Sequence, residues 1–377
     1  MTRAISGLLL FALGAGFTAV ACDDKKSSSD APRPDASTAA DKNLSADPKL
    51  SKAIQAAASA SAANENTPPP DGIFAAGAAD QRHAKGVPTK VDMVKDGADP
   101  KVSFAPAADA SPDSARASSY GPAALELQMS MGPRMAMPTI DFGMVLGPAK
   151  ADEGGPDWLV GDVKRATPSK EQLGQLPPGT DKEIGSLAGS QIRLKMTADG
   201  RESDLLLQLG KASRPELERL AQNAAEALVF ATVPLPPKPV GVGAQWIAET
   251  RMPLSGLDVI AYRAYTVKSV EGDRLHLTLL VKCYAASKDV QLQGVPKGAT
   301  LEQFDAESKG EMEVVRGESL ARKSDVQQQV VMVFAGPGGA QPPQQAGQPP
   351  GNMLTAQLQS QATLVRGEDL RAAMKQP

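Results

Sequence analysis

The chain of 377 residues carries 40 basic and 43 acidic side chains, a formal charge of −3, and is 41% hydrophobic but only 4% aromatic. The length allows one or two domains, and no basic patch or aromatic-spaced basic run is present to attract nucleic acid. Two cysteines, and two histidines (His83 and His276) far apart in sequence, give no metal-ligand spacing.

The N-terminus has the three parts of a secretory signal. Arg3 supplies the positive charge, Ile5 to Val20 the apolar stretch, and Ala19-Val20-Ala21-Cys22 the small residues before a cysteine. The apolar run is broken by Gly7, Gly14 and Gly16 and falls short of the roughly 20 residues a spanning helix needs, so residues 1–21 are read as a signal and left out of the fold. The last four positions resemble the bacterial lipobox, with Ala19 where Leu is commonest. That resemblance implies cleavage before Cys22 and acylation (diacylglycerol, palmitate) of its thiol. Asp23 and Asp24 resemble an inner-membrane retention signal; the expected location is the envelope, anchored by lipid on the periplasmic side.

Residues 22–119 are dominated by Ala, Ser, Asp, Lys and Pro, and Phe74 and Phe104 are the two aromatics between Asp23 and Ser119. Such a stretch buries too little apolar surface to offset its ordering entropy and is expected to be a mostly disordered tether with an r.m.s. span of about 50–60 Å. Two islands stand out. Lys52 to Ala63 is Ala-rich and suits a transient helix. Asp71 to Phe104 carries Ile73, Phe74, Val87, Val91, Met93, Val94 and Val102, and offers an extended strap as the alternative to disorder.

From Tyr120 the pattern turns to strands. Leu125, Leu127, Met129 and Met131 alternate with polar residues, and Ile140, Phe142, Met144 and Leu146 repeat the two-residue period. Trp158 to Ala166 is a weaker third run. Ile192, Leu194 and Met196 lead through Asp199-Gly200, a hairpin signal, to Leu205 and Leu207. One helix follows: Ser213-Arg214-Pro215-Glu216 reads as a capping box, with Leu217, Leu220, Ala221, Ala224, Ala225 and Leu228 on one face. It should stop near Phe230 or Ala231, ahead of Pro234, Pro236, Pro237 and Pro239.

A second set of strands comprises Ala244–Thr250, a run through Val259, Ala261, Tyr265 and Val267, the turn Glu271-Gly272-Asp273, and a long strand with Leu275, Leu277, Leu279, Val281 and Cys283 on one face. Glu311 to Val315 turns at Arg316-Gly317-Glu318 into Leu320 to Phe334, and the last strand runs from Met353 to Arg366. Between these lies a flexible Pro/Gly/Gln loop, residues 335–351. Val315-Arg316-Gly317-Glu318-Ser319-Leu320 is echoed by Val365-Arg366-Gly367-Glu368-Asp369-Leu370; two similar turns are the simpler explanation, an internal duplication the alternative.

The sequence carries no recognisable catalytic centre, metal site or cofactor motif. His276 alternates with the apolar side of its strand and should face solvent or the opposite face. Cys283 shares a face with Leu279 and Val281 and reads as a buried small hydrophobe. Once Cys22 is used by the lipid, Cys283 has no disulfide partner. Glu311 with Glu313, and Glu302 with Asp305, are paired carboxylates best read as surface groups, and the scarcity of aromatics argues against carbohydrate work. The crowding of Met129, Met131, Met135, Met137 and Met144 is the unusual feature: it suits a core short of aromatics or a cradle for lipid tails.

These features resemble exported lipoproteins of unknown function from Gram-negative bacteria. The stretch from Pro234 to Trp246, with Val240-Gly241-Val242-Gly243-Ala244-Gln245-Trp246, is similar to a Pro…Val-x-Val-Gly-x-x-Trp segment found in such proteins. The layout of strands, one amphipathic helix and more strands is similar to the lipoprotein-carrier half-barrel of the LolA/LppX type, an architectural likeness that transfers no functional residue. The expected fold is therefore α+β: a curved, half-barrel-like, mainly antiparallel sheet over residues 120–377 with one central amphipathic helix packed on its concave side. Two functions stay open. One is a module binding a lipid or other hydrophobic ligand through Met129, Met131, Phe142, Met144, Met196, Leu217, Leu220 and Leu228. The other is a structural or protein-interaction lipoprotein, without a small ligand, whose partner is an envelope protein.

Overall fold

The computed structural model describes residues 48–59, 69–106, 117–132, 135–150, 155–290, 292, 295–336, 353–367 and 370. The signal segment, Cys22 and nearly all of the Pro/Gly/Gln stretch lie outside them. The described chain forms two helices, α1 (Pro48–Ser59) and α2 (Ala78–Arg82), then strands β1 (Lys90–Lys95), β2 (Gly121–Met131), β3 (Met135–Ala136), β4 (Ile140–Pro148) and β5 (Trp158–Pro168). Helix α3 (Thr180–Gly185), β6 (Gln191–Met196) and β7 (Glu202–Gln208) follow, then α4 (Glu218–Ala231). The chain closes with β8 (Gln245–Leu254), β9 (Leu257–Glu271), β10 (Arg274–Ala285), β11 (Thr300–Val315), β12 (Lys323–Ala335) and β13 (Met353–Arg366).

The strands make a single 13-stranded sheet in the order β1-β8-β9-β10-β11-β12-β13-β2-β4-β5-β6-β7, with β3 on β2. Its ladders are antiparallel, including those that join strands distant in sequence, β1 with β8 and β13 with β2. Hairpins dictate most of this order. Gly200 (φ 81°) and Gly272 (φ 65°) take the left-handed conformation that tight turns between strands require. The sheet is open and curls around α4. Its two ends approach where the Thr89 amide, just ahead of β1, donates to the Glu202 carbonyl at the start of β7 (2.9 Å).

The two-residue period puts one face of nearly every strand inward. Leu125 and Leu127 (β2), Phe142 and Met144 (β4), Leu277, Leu279 and Val281 (β10) and Val330 and Phe334 (β12) bury against Leu220, Ala224, Ala225 and Leu228 of α4 in one continuous core. The helix packs on the concave side and stops at Ala231, ahead of the proline run. Its start differs from the sequence expectation. A 3-10 turn, Pro215–Leu217, precedes it, and no side chain caps it. Ser213 instead donates to the Ser186 carbonyl (2.7 Å) and lies 3.3 Å from the Ser190 hydroxyl, tying the helix entry to the end of α3.

The folded part also begins well before Tyr120, so the expected tether holds two ordered stretches. The alternative of a docked strap describes residues 71–104. Ile73 bridges to Ala285 beside β10, β1 adds an edge strand to β8, Val102 bridges to Val240, and Phe104 is buried in the main core. The Ala-rich island forms α1. Together α1 (Ile54), Phe74 and α2 (Ala79) cover a second apolar cluster on the outer face of β8–β10: Ile247, Ile260, Tyr262, Ala264 and Tyr284. Ion pairs fasten this cover. Glu249 of β8 accepts from Arg82 (2.6 Å) and lies 3.3 Å from Nδ1 of His83, whose Nε2 is 3.0 Å from the Val87 carbonyl. Burial opposes ionisation of Glu249, but the His83 hydrogen bond and the charges of Arg82 and Lys90 outweigh it and hold the carboxyl below its ordinary range.

Candidate functional site

The residues expected to cradle an apolar ligand are brought together as core. Met129, Phe142, Met144, Met196, Leu217, Leu220 and Leu228 are all at most 5% exposed and belong to the one continuous cluster between sheet and helix. Met131 is half-buried near the end of β2. The Met129 sulfur accepts a hydrogen bond from the Asn223 amide of α4 (2.9 Å), so this side chain is committed to the helix. Cys283 is buried and free, and burial pushes its thiol up to about 12, far from a reactive thiolate. No group of three or more metal-ligating side chains, and no helix long and apolar enough to cross a membrane, occurs among the described residues.

Two clefts open on the opposite, outer face, where side chains alternate away from the core. The larger, about 430 Å3, crosses β11, β12, β13 and β2, with Leu280 of β10 at one margin. Strand register builds it from two rows. Lys309, Gln327, Gln361 and Gln128 stand abreast in one; Glu307, Gln329, Gln359 and Ser130 stand abreast in the other. Four strands abreast span about 14 Å and the rows are about 7 Å apart. Gln361 donates to Asp325 (3.0 and 3.2 Å). The side-chain amides of Gln128, Gln327, Gln329 and Gln359 have no hydrogen-bond partner among the described residues.

The charges of this face sit at the rim. Lys282 bridges Asp305 (2.6 Å) and Glu307 (2.7 Å) on one side. On the other side Glu126 lies across from Asp141 in the β2–β4 ladder, and its carboxyl is raised above the ordinary range, by burial first and then by Asp141, Asp325 and Glu171. The second cleft, about 350 Å3, continues along the strands and takes in His276, Glu311 and Glu313. His276 thus faces away from the core as its alternation predicts, and Nε2 is 3.8 Å from Glu271. Glu313 is engaged by Arg274 across the β10–β11 pair. No nucleophile, base and orienter are assembled in either cleft.

Sequence reasoning missed the larger cleft because each glutamine reads alone as a solvated strand position. The available signal was compositional: Gln327-Gln328-Gln329 and Gln357, Gln359 and Gln361 make β12 and β13 unusually amide-rich.

No protein-family model matches the sequence, and no curated protein matches it. Among solved structures the chain is similar to lipovitellin, in a structure describing its lipid–protein interactions: 9% identity, TM-score 0.38, over 65% of this chain and 25% of that one. The chain thus spans about a quarter of the length of lipovitellin's. A protein of unknown function of the DUF3598 family, from Nostoc punctiforme, is also similar at 9% identity, over 67% of this chain and 99% of that one, with a TM-score of 0.14.

Proposed function

We propose that the protein is an exported envelope lipoprotein, cut before Cys22 and anchored by lipid on that cysteine. Its curled sheet is a binding module working through the outer cleft, neither an enzyme nor a carrier of apolar cargo. The lipobox-like Ala19-Val20-Ala21-Cys22 supports the anchor. One observation carries the choice of face: the inward Met, Leu and Phe side chains are occupied by packing, whereas the outward amides of Gln128, Gln327, Gln329 and Gln359 have no partner among the described residues. Ligand pockets are concave and use placed polar groups for orientation and specificity; the outer cleft is concave but lined mainly by polar side chains, which favours a polar ligand over an apolar one.

Two experiments test this. Cys22→Ser should move the protein from the membrane pellet to the soluble fraction; retention in the pellet contradicts the anchor. A photo-crosslinking residue at Gln327 should form adducts with an envelope component in cells, and an absence of adducts from the cleft contradicts the assignment of the binding face.

A further inference from the structure

We propose that the outer cleft binds a neutral, polyhydroxylated polymer, a glycan chain of the cell envelope; this rests on the reading of that face as the binding face. Each primary amide offers two donors and two acceptors, a match for hydroxyl groups, which also do both. Gln128, Gln327, Gln329 and Gln359 present such amides, without internal partners, over a grid about 14 Å by 7 Å. That is an extended hydrogen-bonding surface suited to a short run of sugar residues.

Charge sorting selects among polymers. Glu307 is paired with Lys282 and Asp325 accepts from Gln361, while Glu126 is crowded by the carboxylates of Asp141, Asp325 and Glu171, so the rim is acidic and repels an anionic polymer. Lys309 is the lone cation among the lining residues, too little to hold an anionic polymer by its backbone. Protein interfaces are enriched in buried Trp, Tyr and Arg anchors, and the cleft is lined by none of these; Leu280 is its outward apolar side chain, that of Met129 being turned inward to Asn223. A neutral chain rich in hydroxyls satisfies the exposed amides and meets no like-charge repulsion at the acidic rim. The scarcity of aromatics, which in the sequence argues against carbohydrate work, leaves no stacking platform; the sugar is held instead by its polar edges, and binding relies on repeated weak contacts.

The test is co-sedimentation of the full mature protein with insoluble cell-wall glycan, competed by a panel of soluble neutral oligosaccharides. The wild type should sediment with the glycan, be released by at least one oligosaccharide, and bind equally at low and physiological salt. Gln327→Leu with Gln359→Leu, both at outward strand positions, should weaken binding about tenfold through the loss of two hydrogen-bonded amides, with an unchanged denaturation midpoint. No sedimentation, undiminished binding by the double variant, or binding that falls steeply with salt overturns the proposal. Photo-crosslinking from Gln327 separates the two levels. Adducts to a protein with no glycan retention overturn the glycan while leaving the outer face as the binding face; no adduct and no retention overturn both.

Discussion

Removing the Glu202 carboxylate should unfasten the seam where the curled sheet meets itself. Glu202, at the start of β7, is ion-paired with Arg263 of β9, and the two are 2% and 0% exposed. The Arg263 guanidinium also donates to Thr250 Oγ1 of β8 (2.8 Å), to Thr232 Oγ1 (3.2 Å) and, at the end of α4, to the Val229 carbonyl (3.2 Å). The Thr89 hydroxyl donates to the Glu202 carbonyl (3.0 Å) and contacts the Thr250 hydroxyl (2.8 Å). Three strands, the central helix and the N-terminal strap therefore converge on one buried pair. Glu202→Ala strands the Arg263 charge in the core, and breaking a buried pair on one side costs about 3–5 kcal/mol. For a domain of this size that is roughly a 6–20 °C fall in Tm. Replacing both partners by apolar residues of similar volume should cost far less, because Glu202 Oε2 and Arg263 Nε have no partner among the described residues and the pair is incompletely compensated. The assay is urea denaturation of the wild type, both single variants and the double variant, read as a double-mutant cycle. A Glu202→Ala loss below about 1 kcal/mol, or a double variant as unstable as the sum of the singles, would refute this reasoning.

Other outcomes follow from buried groups. Glu226 of α4 is buried, accepts from the Ser255 amide (2.8 Å) and is pushed up from 4.5 to about 8 by burial, against the opposing Ser255 hydrogen bond and Arg219 charge. Between those two values the folded state holds a proton that the unfolded chain releases, so stability falls as pH rises from about 4.5 to about 8 and then levels. Glu226→Gln should match the wild type near pH 4 and exceed it by on the order of a few kcal/mol at pH 8, in denaturation series across pH; a constant difference contradicts the assignment. Ser308→Ala removes a buried hydroxyl with no partner among the described residues and should be neutral or stabilising by about 1 kcal/mol in the same assay; a clear loss would mean that the hydroxyl is satisfied. Phe74→Ala should cost about 3–5 kcal/mol, since the ring is buried 5.8 Å from that of Tyr284, and should speed limited proteolysis between α1 and β1; unaffected protection would show that the strap does not dock.

Much of the sheet was legible because its core positions are large and strictly alternate. Leu125, Leu127 and Met129, or Leu275 through Cys283, mark their strands unaided, and Met353–Arg366 is the last strand as expected. The first half of β11 was not legible: its inward positions Phe304, Ala306, Ser308 and Gly310 decline to small or polar groups, and the period fades. Edge strand β1 was hidden among lysines and an aspartate, which suit an exposed edge and resemble a tether. Ser213 carried a cap signature that tertiary contacts to Ser186 and Ser190 took over. Arg263 and Glu202 look like surface charges in sequence, and only the curl of the sheet buries them against each other. The echoed turns meet at one end of the sheet, where Glu318 of the first pairs with Arg366 of the second. The cleft was least legible of all, since it depends on β13 pairing with β2, more than two hundred residues away.

The central claim, that the interior is structural and the binding face lies outside, is tested most directly by native mass spectrometry of the mature protein purified from its membrane, followed by organic extraction. The expected result is the mass of the polypeptide with its anchoring acyl groups alone, unchanged after incubation with envelope lipids. A near-stoichiometric apolar molecule carried in addition to the anchor would contradict it and return the Met129, Phe142, Met144 and Leu228 interior to the role of a ligand site.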